Sequence, residues 1–249
     1  MRYLENVMGT VVTIDVYTDG GGADPELSIA LARARAVLHR ADAVFSTWKP
    51  DSPMSRLRRG EITVDEAPAE VADVLSRCAE ARDCSRGLFD PWAMPGGVDP
   101  TGYVKGWAAD RALDVLRASG ISGALVNAAG DIAGFTGPSI AEPFRIGIAH
   151  PLERGRLFCV IELSAAVATS GTYERGAHLI DPRSGRSGTR VASATVSGPD
   201  LGLADALATA LVVAGVDGLP VLDPLAGYEA LVIAFDGTAE WTSGFPFAS

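Results

Sequence analysis

Asp205 and Thr209 stand four residues apart in "LADALATALVVAG". On a helix that spacing puts both side chains on one face. Ala204, Ala208 and Leu211 surround them, so the setting is small and largely apolar. A carboxylate in such a place needs a partner. A carboxylate beside a hydroxyl is a donor pair that a hard cation such as Mg²⁺ accepts. The competing reading is that Asp205 only favours the start of its helix, where the dipole stabilises a negative charge.

A second group lies in "FDPWAMPGGVDPTGYVKGWAADRA". Asp99-Pro100 interrupts the chain, Gly102 frees the backbone, and Lys105 is read as preceding a helix. Free N–H groups at a helix start beside a lysine make a phosphate site. A solvated lysine beside an ordinary loop is the alternative. A third group is "SGTYERGAHLIDPRSG", Ser170 to Gly185, which is poor in core residues and rich in turn formers. His178 in it reads as a base, a donor to a ligand, or a satisfied loop histidine. Tyr173 adds a ring and a hydroxyl, and Asp181-Pro182 pins the turn that follows. His39 falls on the polar face of a helix among arginines, and His150 precedes Pro151 at a strand end.

These residues need elements to hold them. After "GGGADPELS", with Asp24 as N-cap and Pro25 at the first helical position, an apolar stripe runs through Leu27, Ala30, Leu31, Ala34, Val37, Leu38, Ala41 and Phe45. A second helix follows Pro68, with Val71, Val74, Leu75 and Cys78 inward. A third is predicted from about Gly106 to Ser119, stopped by Gly120. "LADALATALVVAG" is a fourth. "TVVTIDVYTD", "GALVNAAGDIAGF", "FRIGIAH", "LFCVIELS", "ASATVSG" and "EALVIAFDG" read as strands. Strand runs separated by a few helices predict an α+β fold with mostly antiparallel sheets. No repeat, low-complexity tract or long linker divides residues 1–249, which read as one domain.

The 249 residues allow a sizeable core, and 47% hydrophobic against 21% charged excludes a disordered chain. With 21 Lys+Arg against 31 Asp+Glu the net charge is −10, which argues against coating nucleic acid or an anionic membrane. A phosphate ligand must then be met locally. Cys78, Cys84 and Cys159 are too few and too scattered for a disulfide frame or a zinc site, and Cys78 reads as a buried thiol. The opening "MRYLENVMGT" has no apolar leader segment, and no long apolar run follows, so the expected location is the cytoplasm.

Six stretches occur in a specific order: "MGTVVTI", "FSTWKPDSPMSRL", "GLFDP", "VDPTGYVKGWAADRA", "LVNAAGDI" with "SGTYERGAHLIDPRSG", and "ADALATAL". In this order the chain resembles the FAD:protein FMN transferases, the ApbE-like flavin transferases, over nearly its whole length. The resemblance implies an ApbE/T-fold-like α+β fold with FAD extended in a central cleft. It implies cleavage of the FAD pyrophosphate and transfer of FMN onto a Thr or Ser hydroxyl of a partner flavoprotein, with AMP released. Asp205 and Thr209 match the family's Mg²⁺-binding side chains, and Gly102 matches the residue whose carbonyl joins them. Asp99 and Lys105 match positions beside the flavin nucleotide. Met8, Trp48, Leu88, Phe89 and Asp90 match other FAD contacts, Trp48 on an aromatic position suited to stacking. The loop holding Ser170, Gly171, Tyr173, His178 and Ile180 would wrap the FAD, with His178 assisting proton removal from the acceptor hydroxyl or contacting the nucleotide.

Magnitudes favour a metal in such a reaction. A helix dipole contributes roughly 0.3–1 kcal/mol, while enzymatic acceleration needs about 8 kcal/mol or more. Three departures from the family pattern stand out. The usual Gly-Gly-Ile-Ala-Lys-Gly is Thr101-Gly102-Tyr103-Val104-Lys105-Gly106 here, Asn-Ala-Gly-Gly-Asp is "NAAGD", and Arg58 stands where Asn is common. None removes a matched metal ligand, and Arg58 is expected to alter the adenine-side contacts or the substrate preference. Two other functions compete with this one. A Mg²⁺-dependent FAD pyrophosphatase needs the site without an acceptor groove. A flavin-binding or storage protein needs neither Asp205, Thr209 nor His178.

Overall fold

The computed structural model describes residues 1–18, 25–171 and 180–249. Its frame is an eight-stranded sheet in the order β1 (Arg2–Val7), β2 (Thr10–Tyr17), β3 (Gly123–Ala128), β4 (Asp131–Thr136), β7 (Ala166–Gly171), β10 (Ser193–Gly198), β11 (Glu229–Ile233) and β12 (Ala239–Trp241). Each described pairing is antiparallel. Two small hairpins are set apart: β5 (Arg145–Ala149) with β6 (Leu157–Glu162), and β8 (Ile180–Asp181) with β9 (Arg186–Ser187). The expected α+β class with antiparallel sheets is what the chain adopts.

Side chains alternate across a strand, and here both faces are covered. On β11, Ala230 and Val232 enter the main core, while Leu231 and Ile233 enter a smaller one with Ile148, Ile161, Leu163, Val167 and Phe245. The main core lies under the helices. These are α1 (Pro25–Phe45), α2 (Pro53–Arg58), α3 (Ala69–Cys84), α4 (Thr101–Arg117) and α5 (Leu201–Ala214). Helices α4 and α5 pack on the sheet and on each other, with α1 against α4.

The stripe read for α1 is buried at Leu27, Ala30, Leu31, Ala34, Leu38, Ala41 and Phe45, and its Pro25 opens the helix. Asp24 lies outside the described residues. The thiol of Cys78 is buried in α3 as expected, and burial pushes it up to about 12. Two boundaries differ from the sequence reading. Helix α4 begins at Thr101, not near Gly106, because Asp99 Oδ1 accepts both the Thr101 N–H (3.1 Å) and its hydroxyl (2.7 Å), anchoring the start right after Pro100. Lys105 therefore sits inside α4 rather than ahead of it. "GALVNAAGDIAGF" is two strands, because Ala129 (φ 56°) and Gly130 (φ 96°) make a tight turn between paired Ala128 and Asp131.

No helix among the described residues is long and apolar enough to cross a membrane.

Candidate active site

Two helices must come close before their side chains can cooperate. A Cβ on Gly106 would lie 2.5 Å from the Leu201 carbonyl oxygen, and one on Gly202 would lie 2.9 Å from the Tyr103 ring. The missing side chains let α4 and α5 touch backbone to backbone. Asp200 caps α5, its Oδ1 accepting the Leu203 N–H at 2.7 Å. Asp205 is thus not needed to start the helix. It lies a turn further in, buried at 4% exposure, on the face toward α4.

There Lys105 meets it. The Lys105 Nζ is 3.8 Å from Asp205 Oδ2 and forms a close ion pair with Asp131 Oδ2. Asp131 is 1% exposed. Its other oxygen accepts the Thr169 N–H at 3.0 Å, which fixes the carboxylate in place. One ammonium faces two buried carboxylates. Removing it would leave uncompensated buried charge, a loss of about 3–5 kcal/mol. One turn along α5 from Asp205, the Thr209 and Ser170 hydroxyls lie 3.2 Å apart, joining α5 to the end of β7.

The donors here are hard oxygens: two carboxylates and two hydroxyls. Among the described residues no group of three or more His, Cys, Asp or Glu could hold a metal. Carboxylate and hydroxyl oxygens are hard donors, the class that Mg²⁺ accepts one or two at a time beside waters and substrate phosphates.

The structure places the other residues singled out from the sequence as follows. Gly102 lies in the first turn of α4, where a Cβ would press within 3.2 Å of the Phe89 ring. Leu88 and Phe89 are buried, and the Phe89 N–H donates to Ser85 Oγ at 3.0 Å. Asp90 caps a short 3₁₀ turn by accepting the Trp92 N–H at 2.9 Å. Met8, at φ 53°, forms the β1–β2 turn with Gly9 and packs on the main core. Trp48 stands 92% exposed beyond α1. Gly171 ends β7, and Ile180 opens β8, half-buried. Tyr173 and His178 lie outside the described residues.

Asp99 has an occupation of its own. Arg58 Nη1 donates to Asp99 Oδ2 at 2.9 Å, while its Nε and Nη2 donate to the Gly96 (3.2 Å) and Pro95 (2.8 Å) carbonyls. Arg58 thus clamps the loop that leads into α4. The remaining histidines are engaged elsewhere: His39 Nε2 lies 3.0 Å from Glu5 Oε2, and His150 Nδ1 accepts the Leu152 N–H at 3.2 Å.

Sequence reasoning singled out Lys105 and Asp205 but not their shared partner, Asp131. The available signal was an aspartate directly after the turn "NAAG", and there it reads as a turn residue.

The far end of the α4–α5 crossing carries another carboxylate pair. Asp110 Oδ2 accepts the Leu201 N–H at 2.7 Å, beside the capping Asp200. Burial first, and then the charge of Asp200, push the Asp110 carboxyl up to about 7. These two line a cavity of about 220 Å³ with Arg77, Trp107 and Arg111. A second cavity, of about 240 Å³, is lined by Arg86, Leu88, Arg183 and Arg190.

Comparison with known proteins settles the lineage. The family model of the ApbE family matches residues 8–96 and 93–232. The chain belongs to the ApbE family. Among relatives, this ApbE chain is 36% identical to the FAD:protein FMN transferase of Rhodobacter capsulatus, the match covering 86% of this chain and 44% of that protein. It is 30% identical to the FAD:protein FMN transferase of Klebsiella pneumoniae, covering 84% of this chain and 77% of that one. The chain therefore spans under half the length of the Rhodobacter relative. Its fold is shared with the flavin transferase ApbE from Vibrio cholerae (TM-score 0.81, 24% identity, 97% of this chain and 96% of that one). It is shared equally with the ApbE protein of Thermotoga maritima (TM-score 0.84, 23% identity, 98% and 97%).

Proposed function

We propose that this ApbE-family chain is a Mg²⁺-dependent FAD:protein FMN transferase, acting in the cytoplasm as one unit over residues 1–249. The observation that carries the reading is the Lys105–Asp131–Asp205 cluster, two buried carboxylates and an ammonium where α4, α5 and the sheet converge. Relatives bearing the transferase name support it.

In the proposed reaction an acceptor Thr or Ser oxygen of a partner flavoprotein bonds to the FMN-side phosphorus of FAD. The pyrophosphate P–O bond to AMP breaks, AMP leaves with the electron pair, and the hydroxyl proton goes to a base. His178 takes that proton or contacts the nucleotide. Asp205 and Thr209 would hold Mg²⁺ with the Gly102 carbonyl. When bound there the ion supplies charge neutralisation on the pyrophosphate and orients its oxygens. Lys105 lies beside Asp205 in the same cluster. Leu88, Phe89 and Asp90 shape the cleft around the extended FAD, and Met8, Asp99, Ser170, Gly171, Tyr173 and Ile180 border it. Trp48 offers an open ring for stacking.

The test is incubation with FAD, Mg²⁺ and an acceptor flavoprotein. The expected result is AMP release matched by flavin fluorescence that stays with the acceptor after denaturation. AMP and free FMN without acceptor labelling would overturn transfer in favour of FAD hydrolysis.

A further inference from the structure

Lys105 occupies the place that matters most for a cation. Its Nζ contacts Asp131 Oδ2 and lies 3.8 Å from Asp205 Oδ2, and the two carboxylate side chains are 1% and 6% exposed. A hard divalent ion bound directly by Asp205 takes carboxylate oxygen into its own shell at about 2.1 Å. An ammonium held against the same oxygens competes for them. We propose that Lys105 is the resident cation of the Asp131–Asp205 pair, and that Mg²⁺ binds Asp205 by displacing it. The inference rests on the metal reading of Asp205 given above.

Three features fit a displaceable ion rather than a fixed one. Lysine carries its charge on a flexible four-carbon stem and binds as a point charge, without the planar fork that locks arginine to a carboxylate. The Lys105 side chain is 25% exposed while both carboxylates stay covered, so the lysine has solvent to move into. Asp131 is held on its other oxygen by the Thr169 N–H, so it stays in place when the lysine leaves. The carboxylates are thus kept compensated in both states, by an internal monovalent cation or by an external divalent one. The apparent Mg²⁺ affinity is then the intrinsic affinity lowered by the competition with Lys105.

The experiment is Mg²⁺ titration by calorimetry, with thermal melts at each metal concentration, on the full chain and on Lys105→Met. Wild type should bind weakly and gain little in melting temperature. The Met variant should bind Mg²⁺ at least tenfold more tightly, melt lower without metal, and recover most of that loss with it. Should the Met variant fail to fold, Asp131→Asn and Lys105→Met/Asp131→Asn replace the pair, since only one buried carboxylate then needs compensation. The double variant should bind Mg²⁺ at least tenfold more tightly than Asp131→Asn. Equal or weaker binding on removal of the lysine, with Mg²⁺ binding retained in wild type, overturns displacement and leaves the metal site standing. No Mg²⁺ binding by wild type or variant removes the metal site itself, and displacement with it.

Discussion

At one end of the α4–α5 crossing, Asp131 and Asp205 face the Lys105 ammonium. At the other, Asp110 and Asp200 face the first turn of α5 and accept its backbone N–H groups. Both pairs bring acidic groups together between the same two helices, buried at Asp131 and Asp205 and half-buried at Asp110 and Asp200, and they are compensated differently. Backbone donors cannot move without unwinding the helix, so the Asp110 end is a fixture whose remaining freedom is to take up a proton. A side-chain ammonium can rotate away, so the Lys105 end can exchange its cation. The difference separates a carboxylate pair that fastens the helices from one that is open to chemistry.

The contrast breaks most sharply at Asp205. Asp205→Asn keeps the shape and removes the charge that would hold a hard cation. AMP release from FAD should fall on the order of 100-fold, since several kcal/mol of charge stabilisation go with the ion. Excess Mg²⁺ should restore part of it, while thermal melts stay close to wild type. A folded variant with an unchanged Mg²⁺ dependence would leave no metal role for this residue.

Gly106→Ala attacks what the two ends share. Its Cβ would meet the Leu201 carbonyl at 2.5 Å, forcing the helices apart. Overpacking of this kind costs about 1–3 kcal/mol. At roughly 2–4 °C per kcal/mol for a chain of this size, the melting temperature should drop by several degrees. An unchanged melt would show that the crossing tolerates separation.

Asp110 sharpens the comparison through pH. Its folded-state value, about 7, lies above the ordinary carboxylate value, so the folded form holds a proton that the unfolded chain has already lost. The stability this proton contributes is complete below about pH 4 and is lost as pH rises through about 7. Asp110→Asn keeps an acceptor for the Leu201 N–H and cannot ionise. Chemical denaturation from pH 4 to 8 should show wild type losing stability across that window and the variant losing less. Parallel curves would mean that Asp110 does not titrate there.

The smallest effect is expected in the turn that delivers Asp131. Ala129 sits at φ 56°, a left-handed conformation that a Cβ disfavours by about 1–2 kcal/mol. Ala129→Gly relieves this but adds freedom to the unfolded chain. The net gain should stay below about 1 kcal/mol, read as a small rise in denaturation midpoint. A loss of stability would show that Ala129 packs in a way that outweighs the strain.

These tests also mark what the sequence made legible. The α1 stripe, the α3 start after Pro68 and the four-residue spacing of Asp205 and Thr209 are local periodic signals, and each appears in the fold as read. The start of α4 is obscured because Pro100 and Gly102 read as loop formers, while the hold of Asp99 on Thr101 depends on a side-chain geometry. Strand β7, "AVATSG", passed unnoticed because small residues buried on both faces give no alternation. Asp131 was hidden for a further reason. Its burial comes from Lys105 on α4 and from the β7 backbone, both distant in sequence. Spacing rules see partners a turn apart, not partners brought together by a sheet and two helices.

The order of strands in the large sheet follows the order of the chain, from β1 through β4 and then β7, β10, β11 and β12. Every excursion therefore leaves the sheet and returns beside the strand it left. Strands β7 and β10 are neighbours in the sheet, although residues 172–192 separate them in sequence. Lengthening a segment of this kind costs little loop-closure entropy and disturbs no strand crossing. A change in length between β7 and β10 should therefore leave both strands paired and the Lys105–Asp131–Asp205 cluster intact.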